Sequence, residues 1–265
     1  MLFGAMNFPV NPVLEEIETF AQLGFDFLEL AMDPPLAHHQ VIAAELTDIT
    51  RSLEKHGLGL VCHLPTFLST ADLAANIRRA SVDEMLQSLA VAANLGAEKV
   101  VLHPSMVFGM GAYVLDSVKN YAAEFISIMV SAAQKHNIII CLENMMPQNL
   151  LGVEPQYFKE IFNEFPSLQL TLDTGHANLA DPNGYRLKEL VAHFGDKLGH
   201  VHVSDNMGMR DEHLAVGRGT VNFPALIRAL KNTGYNDTIT LEVFSDDRRQ
   251  LVGSRQRIAE LLHGT

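Results

Sequence analysis

Short apolar runs alternate with longer amphipathic segments along the whole chain. The apolar runs are rich in β-branched residues, as buried strands are. They lie at residues 2–8, 25–32, 58–65, 99–104, 138–145, 168–176, 198–205 and 237–244. The segments between them have the spacing of helices, and a glycine such as Gly57 or Gly234 follows several of them, which is typical of a helix C-terminus.

The amphipathic segments predict helices at residues 13–24, 72–95, 113–136, 155–165, 185–194, 223–231 and 247–263, with one more that ends near Gly57. Strands that alternate with helices usually pair in parallel. Eight strand–helix units in 265 residues predict an α/β fold, the (β/α)8 TIM barrel. An open, doubly wound sheet is the alternative. No linker or low-complexity run interrupts the pattern, so we predict a single domain over residues 1–265.

Composition narrows the function classes. The formal net charge of −12 argues against a broad basic groove for nucleic acid. No apolar run reaches the roughly 18 residues that a membrane span requires, and the N-terminus lacks the basic region of a signal peptide. Cys62 and Cys141 both fall in predicted strands, which indicates buried, reduced thiols. We therefore predict a cytoplasmic protein with no membrane partner.

Acidic residues and histidines recur where the predicted strands end. From the second strand to the eighth they are Glu29, His63, His103, Glu143, Asp173 with His176, His202 with Asp205, and Glu242. In a barrel these ends meet at one face. Buried carboxylates need a cation or hydrogen-bond partners to stay charged, and few basic residues lie near these ends. We therefore predict a divalent metal site.

Each of these residues also has a simpler interpretation. A single histidine in an apolar strand is usually a hydrogen-bonded structural residue, and a glutamate that closes a strand is often merely solvated. The repetition at seven successive strands favours the metal site. We expect His200 to be structural, one layer below His202. We expect the histidines outside the strands to lie at the surface, namely His38, His39, His56, His136, His193 and His263.

Five sequence motifs resemble those of one known protein superfamily. The chain resembles the xylose isomerase-like TIM-barrel superfamily at these motifs. They are LENMM around Glu143, LDTGH at 172–176, HVSD at 202–205, DEHLAVGRG at 211–219 and LEVF at 241–244. That superfamily includes endonuclease IV and many sugar isomerases and epimerases, and the resemblance covers the whole chain. It implies that Glu143, Asp173, His202 and Glu242 hold the shared metal ion. In the endonuclease IV branch, it implies that His63, His103, His176, Asp211 and His213 complete a three-zinc cluster.

Several positions depart from endonuclease IV. Gly175 stands where those nucleases usually carry a cysteine, and Ser204 and Asn206 stand where they carry an asparagine and a lysine. The run from Leu64 to Phe67 lacks the tyrosine usual in their DNA-probing segment. These differences disfavour nucleic acid as a partner. The chain looks closest to proteins described as sugar phosphate isomerases or epimerases.

The resemblance implies an isomerase or epimerase that moves a proton on a sugar or sugar phosphate through an enediolate. It would use one to three Zn²⁺ or Mn²⁺ ions. Glu143 and Glu242 would form the acid–base pair, and His176 would hydrogen-bond a substrate oxygen. We predict Glu29 and Arg218 as further substrate-binding residues, since Arg218 follows strand seven, where TIM barrels often bind phosphate.

Two alternatives remain open at this point. One is an endonuclease IV-like hydrolase that cleaves phosphodiester bonds at abasic DNA sites with a trinuclear zinc cluster. The other is a barrel without catalysis that acts as a binding module, which the intact carboxylate pair disfavours. The sequence leaves the oligomeric state open.

Overall fold

Eight parallel strands close into a barrel in the computed structural model, which describes residues 1–264. The strands are β1 (Leu2–Met6), β2 (Phe27–Ala31), β3 (Gly59–His63), β4 (Lys99–Leu102), β5 (Ile139–Glu143), β6 (Gln169–Asp173), β7 (Leu198–Val203) and β8 (Thr238–Leu241). Each strand pairs with the next along the chain, and β8 pairs with β1. The predicted (β/α)8 TIM barrel is confirmed.

Helices cover the outside of the barrel. They are α1 (Val13–Gln22), α2 (His39–Ala44), α3 (Leu46–His56), α4 (Ala75–Asn94), α5 (Leu115–His136), α6 (Pro155–Glu164), α7 (Thr174–Asn178), α8 (Tyr185–Phe194), α9 (Phe223–Thr233) and α10 (Arg249–Gly264). Short 3₁₀ turns span Gly109–Tyr113, Pro147–Asn149 and Gly195–Lys197. The main apolar core lies between these helices and the outward-facing strand residues, as at Leu28 and Leu30. No helix among residues 1–264 has the length and hydropathy to span a membrane.

The strands end one to three residues earlier than the apolar runs predict. The largest correction follows β6, where the run to His176 was expected to stay extended. Instead, α7 begins at Thr174, because the Oδ1 atom of Asp173 accepts a hydrogen bond from the His176 backbone N–H at 2.6 Å. That cap turns the chain at once. Asp173 and His176 are thereby held one helical turn apart on adjoining elements.

The inside of the barrel changes from apolar to polar along its axis. Phe27, Val61 and Val101 form a small buried cluster of their own. Above them, Glu29 of β2 hydrogen-bonds His200 of β7 at 2.9 Å. Since β2 and β7 are not neighbours in the sheet, this bond crosses the barrel interior. The polar layer forms a floor beneath the carboxyl ends of the strands.

The cysteines and the helical histidines follow the sequence predictions with one exception. Cys62 and Cys141 are buried and free. Among the six histidines expected at the surface, His39 is buried, with an exposed fraction of 4%. The prediction is wrong for His39, whose Nε2 atom is paired with the Oε2 atom of Glu84 at 2.9 Å.

We predict that Gly4→Ala destabilises the barrel by about 1–3 kcal/mol, because the added Cβ would overlap the buried ring of Phe27. Gly253→Ala is the matched control, since a Cβ at this exposed position of α10 meets nothing within 4 Å. That control should gain about 0.5–1 kcal/mol from the lower helix cost of alanine. Urea unfolding measures both. Equal stability of Gly4→Ala and the wild type would contradict the packing described for Phe27.

Candidate active site and metal centre

One cavity of about 560 Å³ lies at the carboxyl ends of the strands. Seven of the nine predicted metal ligands line it, namely His63, His103, Glu143, His176, Asp211, His213 and Glu242. The other two, Asp173 and His202, lie beneath them with no exposed surface. The structure therefore brings together all nine residues that the sequence separates by up to 179 positions, from His63 to Glu242 (242 − 63).

The carboxylate of Glu143, at the end of β5, is the centre of this cluster. Its Oε2 atom lies 3.2 Å from His63 Nε2 and 3.1 Å from His103 Nε2. Its Oε1 atom lies 3.2 Å from His176 Nδ1 and 3.4 Å from His202 Nδ1. Glu143 thus links imidazoles from four other parts of the barrel. The group of Glu143, His63 and His103 has the spacing of a metal site.

A second group of ligand atoms faces His202. The Nδ1 atom of His202 lies 3.4 Å from Glu143 Oε1, 3.6 Å from Asp173 Oδ2 and 3.5 Å from Glu242 Oε2. Among the described residues, His202 Nδ1, Asp173 Oδ2 and Glu242 Oε2 have no hydrogen-bond partner, although all three atoms are buried. Unpartnered buried polar atoms are costly and rare. A divalent cation between them would satisfy all three, so these residues fit a metal ion.

The third group lies on the loop after β7. Asp211 Oδ2 is 3.3 Å from His176 Nε2 and 3.0 Å from His213 Nε2. Within residues 1–264, the other oxygen of Asp211, Oδ1, is buried without a partner. Two imidazoles and a carboxylate suit a zinc-like ion.

Backbone carbonyl groups orient three of the imidazoles. The pairs are His63 Nδ1 with Leu64 O at 2.8 Å, His176 Nδ1 with Asn144 O at 2.9 Å, and His213 Nδ1 with Glu242 O at 3.1 Å. An Nδ1–H that donates to a carbonyl leaves the lone pair on Nε2. That lone pair is what a metal ligand requires, and such partners commonly fix ligating histidines.

Glu29 does not reach the cavity, so the prediction that it contacts substrate is wrong. Its side chain has no exposed surface and lies in the polar layer inside the barrel. The Oε1 atom of Glu29 accepts a hydrogen bond from His202 Nε2 at 2.9 Å, and Oε2 accepts one from His200 Nε2 at 2.9 Å. Glu29 therefore orients His202 so that Nδ1 faces the carboxylates above it.

Arg218 also lies away from the cavity, in a surface depression beside α10, and its predicted substrate contact is wrong. The backbone N–H groups of Gly217 and Gly219 donate to the Oδ2 atom of Asp205 at 2.9 and 2.8 Å. N–H groups that could bind a phosphate are thus already used by a carboxylate of the chain itself. Asp205, which we considered as a ligand, instead holds the loop that carries Asp211.

Asn144 is a site residue that the sequence did not single out. Its side-chain oxygen accepts from the Asp173 N–H at 2.8 Å, and its amide donates to the Asp173 carbonyl at 3.0 Å. Its own carbonyl orients His176. Asn144 therefore joins the ends of β5 and β6. The only signal in the sequence is a polar residue directly after Glu143 in an apolar run.

Burial and neighbouring charges separate the pKa values of the site. Burial raises the pKa of Glu242 to about 8, although His213 and His202 oppose the rise. Burial acts on Glu143 in the same direction, but the nearby imidazoles, His202 first, hold its pKa well below the usual range. For His63 burial lowers the pKa, yet the Glu143 carboxylate raises it to about 9. Protons on imidazoles such as His63 and on Glu242 therefore balance the carboxylates in the metal-free protein, whereas burial lowers the pKa of His103.

Three comparisons relate this chain to known proteins. The sequence model of the family described as "Xylose isomerase-like TIM barrel" matches residues 17–262. A solved "D-tagatose 3-epimerase-like protein" superimposes with a TM-score of 0.87 at 27% identity, covering 99% of this chain and 97% of that one. An L-ribulose 3-epimerase of Methylomonas sp. (strain DH-1) is 29% identical, over 86% of this chain and 77% of the relative. A probable endonuclease 4 of Mycoplasmoides gallisepticum (strain R(low / passage 15 / clone 2)) is 26% identical, over 81% and 76%.

We predict that the chelator-treated protein loses stability as pH rises from 6.5 to 9. The pKa of His63 is raised from 6.5 to about 9, and that of Glu242 from 4.5 to about 8. The folded state therefore binds these protons more tightly than the unfolded chain. The stability from His63 is complete below pH 6.5 and is lost as pH passes about 9, and Glu242 adds a loss between 4.5 and 8.

Thermal unfolding with and without zinc measures this dependence. The melting temperature of the metal-free protein should fall by several degrees over that range. The increase caused by saturating zinc should grow with pH, because fewer protons must be displaced. A pH-independent melting temperature with no zinc effect would contradict the charge balance described for the site.

We predict that Asp205→Asn loosens the loop that carries Asp211. The Asp205 carboxylate accepts two N–H bonds at each oxygen, and in asparagine one of these oxygens becomes an NH₂ group that faces two N–H donors, so we expect a loss of about 2–3 kcal/mol. Hydrogen exchange should accelerate across residues 206–221. Asp247→Asn is the control, because the Asp247 carboxylate is half exposed and pairs with Arg249 on the surface. Unchanged exchange in Asp205→Asn would show that the loop has other support.

Proposed function

Because the chain belongs to the xylose isomerase-like TIM barrel family, we propose that it is a metal-dependent sugar isomerase or epimerase. The reaction would move a proton on the carbon next to a carbonyl group. One observation carries the proposal: Glu143 and Glu242 line the same cavity, and their surroundings shift their pKa values in opposite directions. Such a pair can divide base and acid roles.

The proposed chemistry needs two carboxyl groups. Glu143, held charged by its imidazole neighbours, would remove a proton from the substrate carbon and leave an enediolate. Glu242, the second carboxyl group at the cavity, would give the carbon a proton on the other face, which yields the epimer, and proton exchange with solvent would restore both carboxyl groups. His176, which also lines the cavity, would hydrogen-bond a substrate oxygen.

Glu143, Asp173, His202 and Glu242 would hold the metal ion. A divalent Zn²⁺ or Mn²⁺ ion there would polarise the substrate carbonyl as a Lewis acid. Asp173 and His202 are fully buried below the cavity surface. They would therefore bind and position the ion without contacting the substrate. Glu29 supports that part through His202.

The cavity lining favours a sugar without phosphate. Among the described residues that line it there is no lysine or arginine, whereas Asp33 and Glu84 add negative charge on the wall away from the nine ligands. A phosphate group away from the metal cluster would therefore lack a counter-charge. The relatives named as 3-epimerases of free sugars agree with this choice.

A second candidate function is phosphodiester hydrolysis at abasic DNA sites. The complete set of nine ligands in three groups favours it, as does the similarity to a probable endonuclease 4. The same lack of basic residues at the cavity, together with the net charge of −12, disfavours a DNA backbone as ligand. We therefore place it second.

We predict that Glu143→Gln and Glu242→Gln each lower proton exchange by at least about a hundredfold, the usual contribution of an acid–base group. The measurement is deuterium wash-in from D₂O into a panel of free ketoses, ketose phosphates and aldoses, with the protein loaded with zinc or manganese. Glu189→Gln is the control, because its exposed carboxylate lies away from the cavity and pairs with His193 at the surface. A duplex with one abasic site is incubated in parallel.

Free ketoses should exchange faster than their phosphates in the wild-type protein. Full exchange in either glutamate variant would remove the acid–base assignment. Efficient cleavage of the abasic duplex, with no wash-in for any sugar, would replace the proposal by the hydrolase.

A further inference from the structure

A separate group of possible metal ligands lies on the wall of the same cavity, outside the nine residues of the central cluster. His38 is the N-cap of α2 and His39 is its first residue, while Glu84 comes from α4. The Oε2 atom of Glu84 lies 3.1 Å from His38 Nε2 and 2.9 Å from His39 Nε2. Two helices thus present three donor atoms to one point.

The Glu84 carboxylate is paired with the imidazoles of His38 and His39. Their rings lie 4.1 Å apart between centroids and are tilted by 44°. His39 is buried, whereas His38 and Glu84 are partly exposed and line the cavity. The group is therefore closed on the protein side and open on the cavity side.

These three atoms fit the ligand set of a zinc-like ion. They lie within 4.8 Å of one another, and two histidines with one carboxylate form a common set for catalytic zinc. Two ligands of a tetrahedral ion stand about 3.4 Å apart, given metal–ligand distances of about 2.0–2.1 Å. The present separations of 2.9 and 3.1 Å need to open by only a few tenths of an ångström.

The local hydrogen bonds permit this change. His38 Nδ1 now accepts from the Gln40 N–H at 3.4 Å, a long and weak bond. Metal binding at Nε2 would move the His38 proton to Nδ1 and give up that weak bond, while coordination to the ion would replace the hydrogen bonds between the imidazoles and Glu84. We propose that His38, His39 and Glu84 form a metal site of their own, which binds a zinc-like divalent ion with one position open to the cavity.

The site would change the character of the cavity wall. The described lining residues include no lysine or arginine, so an ion at His38 and Glu84 would offset the negative charge of Asp33 and Glu84 on this wall. Its open position would take an oxygen atom from a molecule in the cavity. The inference does not depend on the reaction at the central cluster.

The test counts zinc and locates it. The full-length protein is stripped with a chelator, reloaded with zinc and freed of excess metal, and its zinc content is measured by mass spectrometry. His38→Gln combined with Glu84→Gln should lose about one zinc ion per chain relative to the wild type. The matched control is His193→Gln with Glu189→Gln, a surface histidine–glutamate pair without a second imidazole, which should lose none.

Anomalous scattering at the zinc edge from crystals of the loaded wild type locates the ion. We expect a peak between the Nε2 atoms of His38 and His39 and the Glu84 carboxylate. Equal zinc content in the wild type and the double variant, with no peak there, would show that two imidazoles merely donate to Glu84. Zinc loss without a peak at this place would mean an indirect effect on the central cluster, and would also overturn the proposal. If the double variant fails to fold by circular dichroism, His38→Gln alone replaces it, because His38 is partly exposed.

Discussion

Four carboxylates and five imidazoles share one weakly solvated space at the end of this barrel, and their charge must be balanced. Glu143 touches four of the imidazoles, yet three ligand atoms around His202 still have no hydrogen-bond partner among residues 1–264. A fold that places so many charges together is stable only with protons or metal ions between them. In the metal-free protein, burial raises the pKa of Glu242, so this carboxyl group binds a proton more tightly than it would in water.

The surrounding structure exists largely to hold these groups at that point. Inside the barrel, Glu29 does not reach the cavity and instead accepts a hydrogen bond from His202, which orients that imidazole from below. At the rim, Asn144 ties β5 to β6, and Asp205 gathers the backbone of the loop that carries Asp211 and His213. Each of these supports is a buried polar group whose hydrogen bonds are made within the chain, as a rigid site requires.

The fold and the convergence of the strand-end residues could be predicted because they follow regular patterns, whereas Asp211 and His213, on the loop after β7, were expected only from the family resemblance. Strand residues alternate in direction, and parallel strands bring their carboxyl ends to one face, so residues such as His63 and Glu242 had to meet. The depth at which a side chain lies inside the barrel, and the group with which it forms hydrogen bonds, do not follow such patterns. Glu29 shares the inward direction of the ligands but lies one layer deeper. The Gly217–Gly219 turn resembles a phosphate loop until Asp205 is seen to occupy it, and the burial of His39 depends on Glu84, 45 residues away.

The central claim is that metal ions replace protons at this cluster. Calorimetric titration of the chelator-treated protein with zinc at pH 7, in buffers of different ionisation enthalpy, counts the ions bound and the protons released together. The account predicts tight binding of at least one zinc ion, with net proton release that disappears with the tight binding in Asp173→Ala combined with His202→Ala. Zinc binding without proton release, or no tight binding at all, would contradict it.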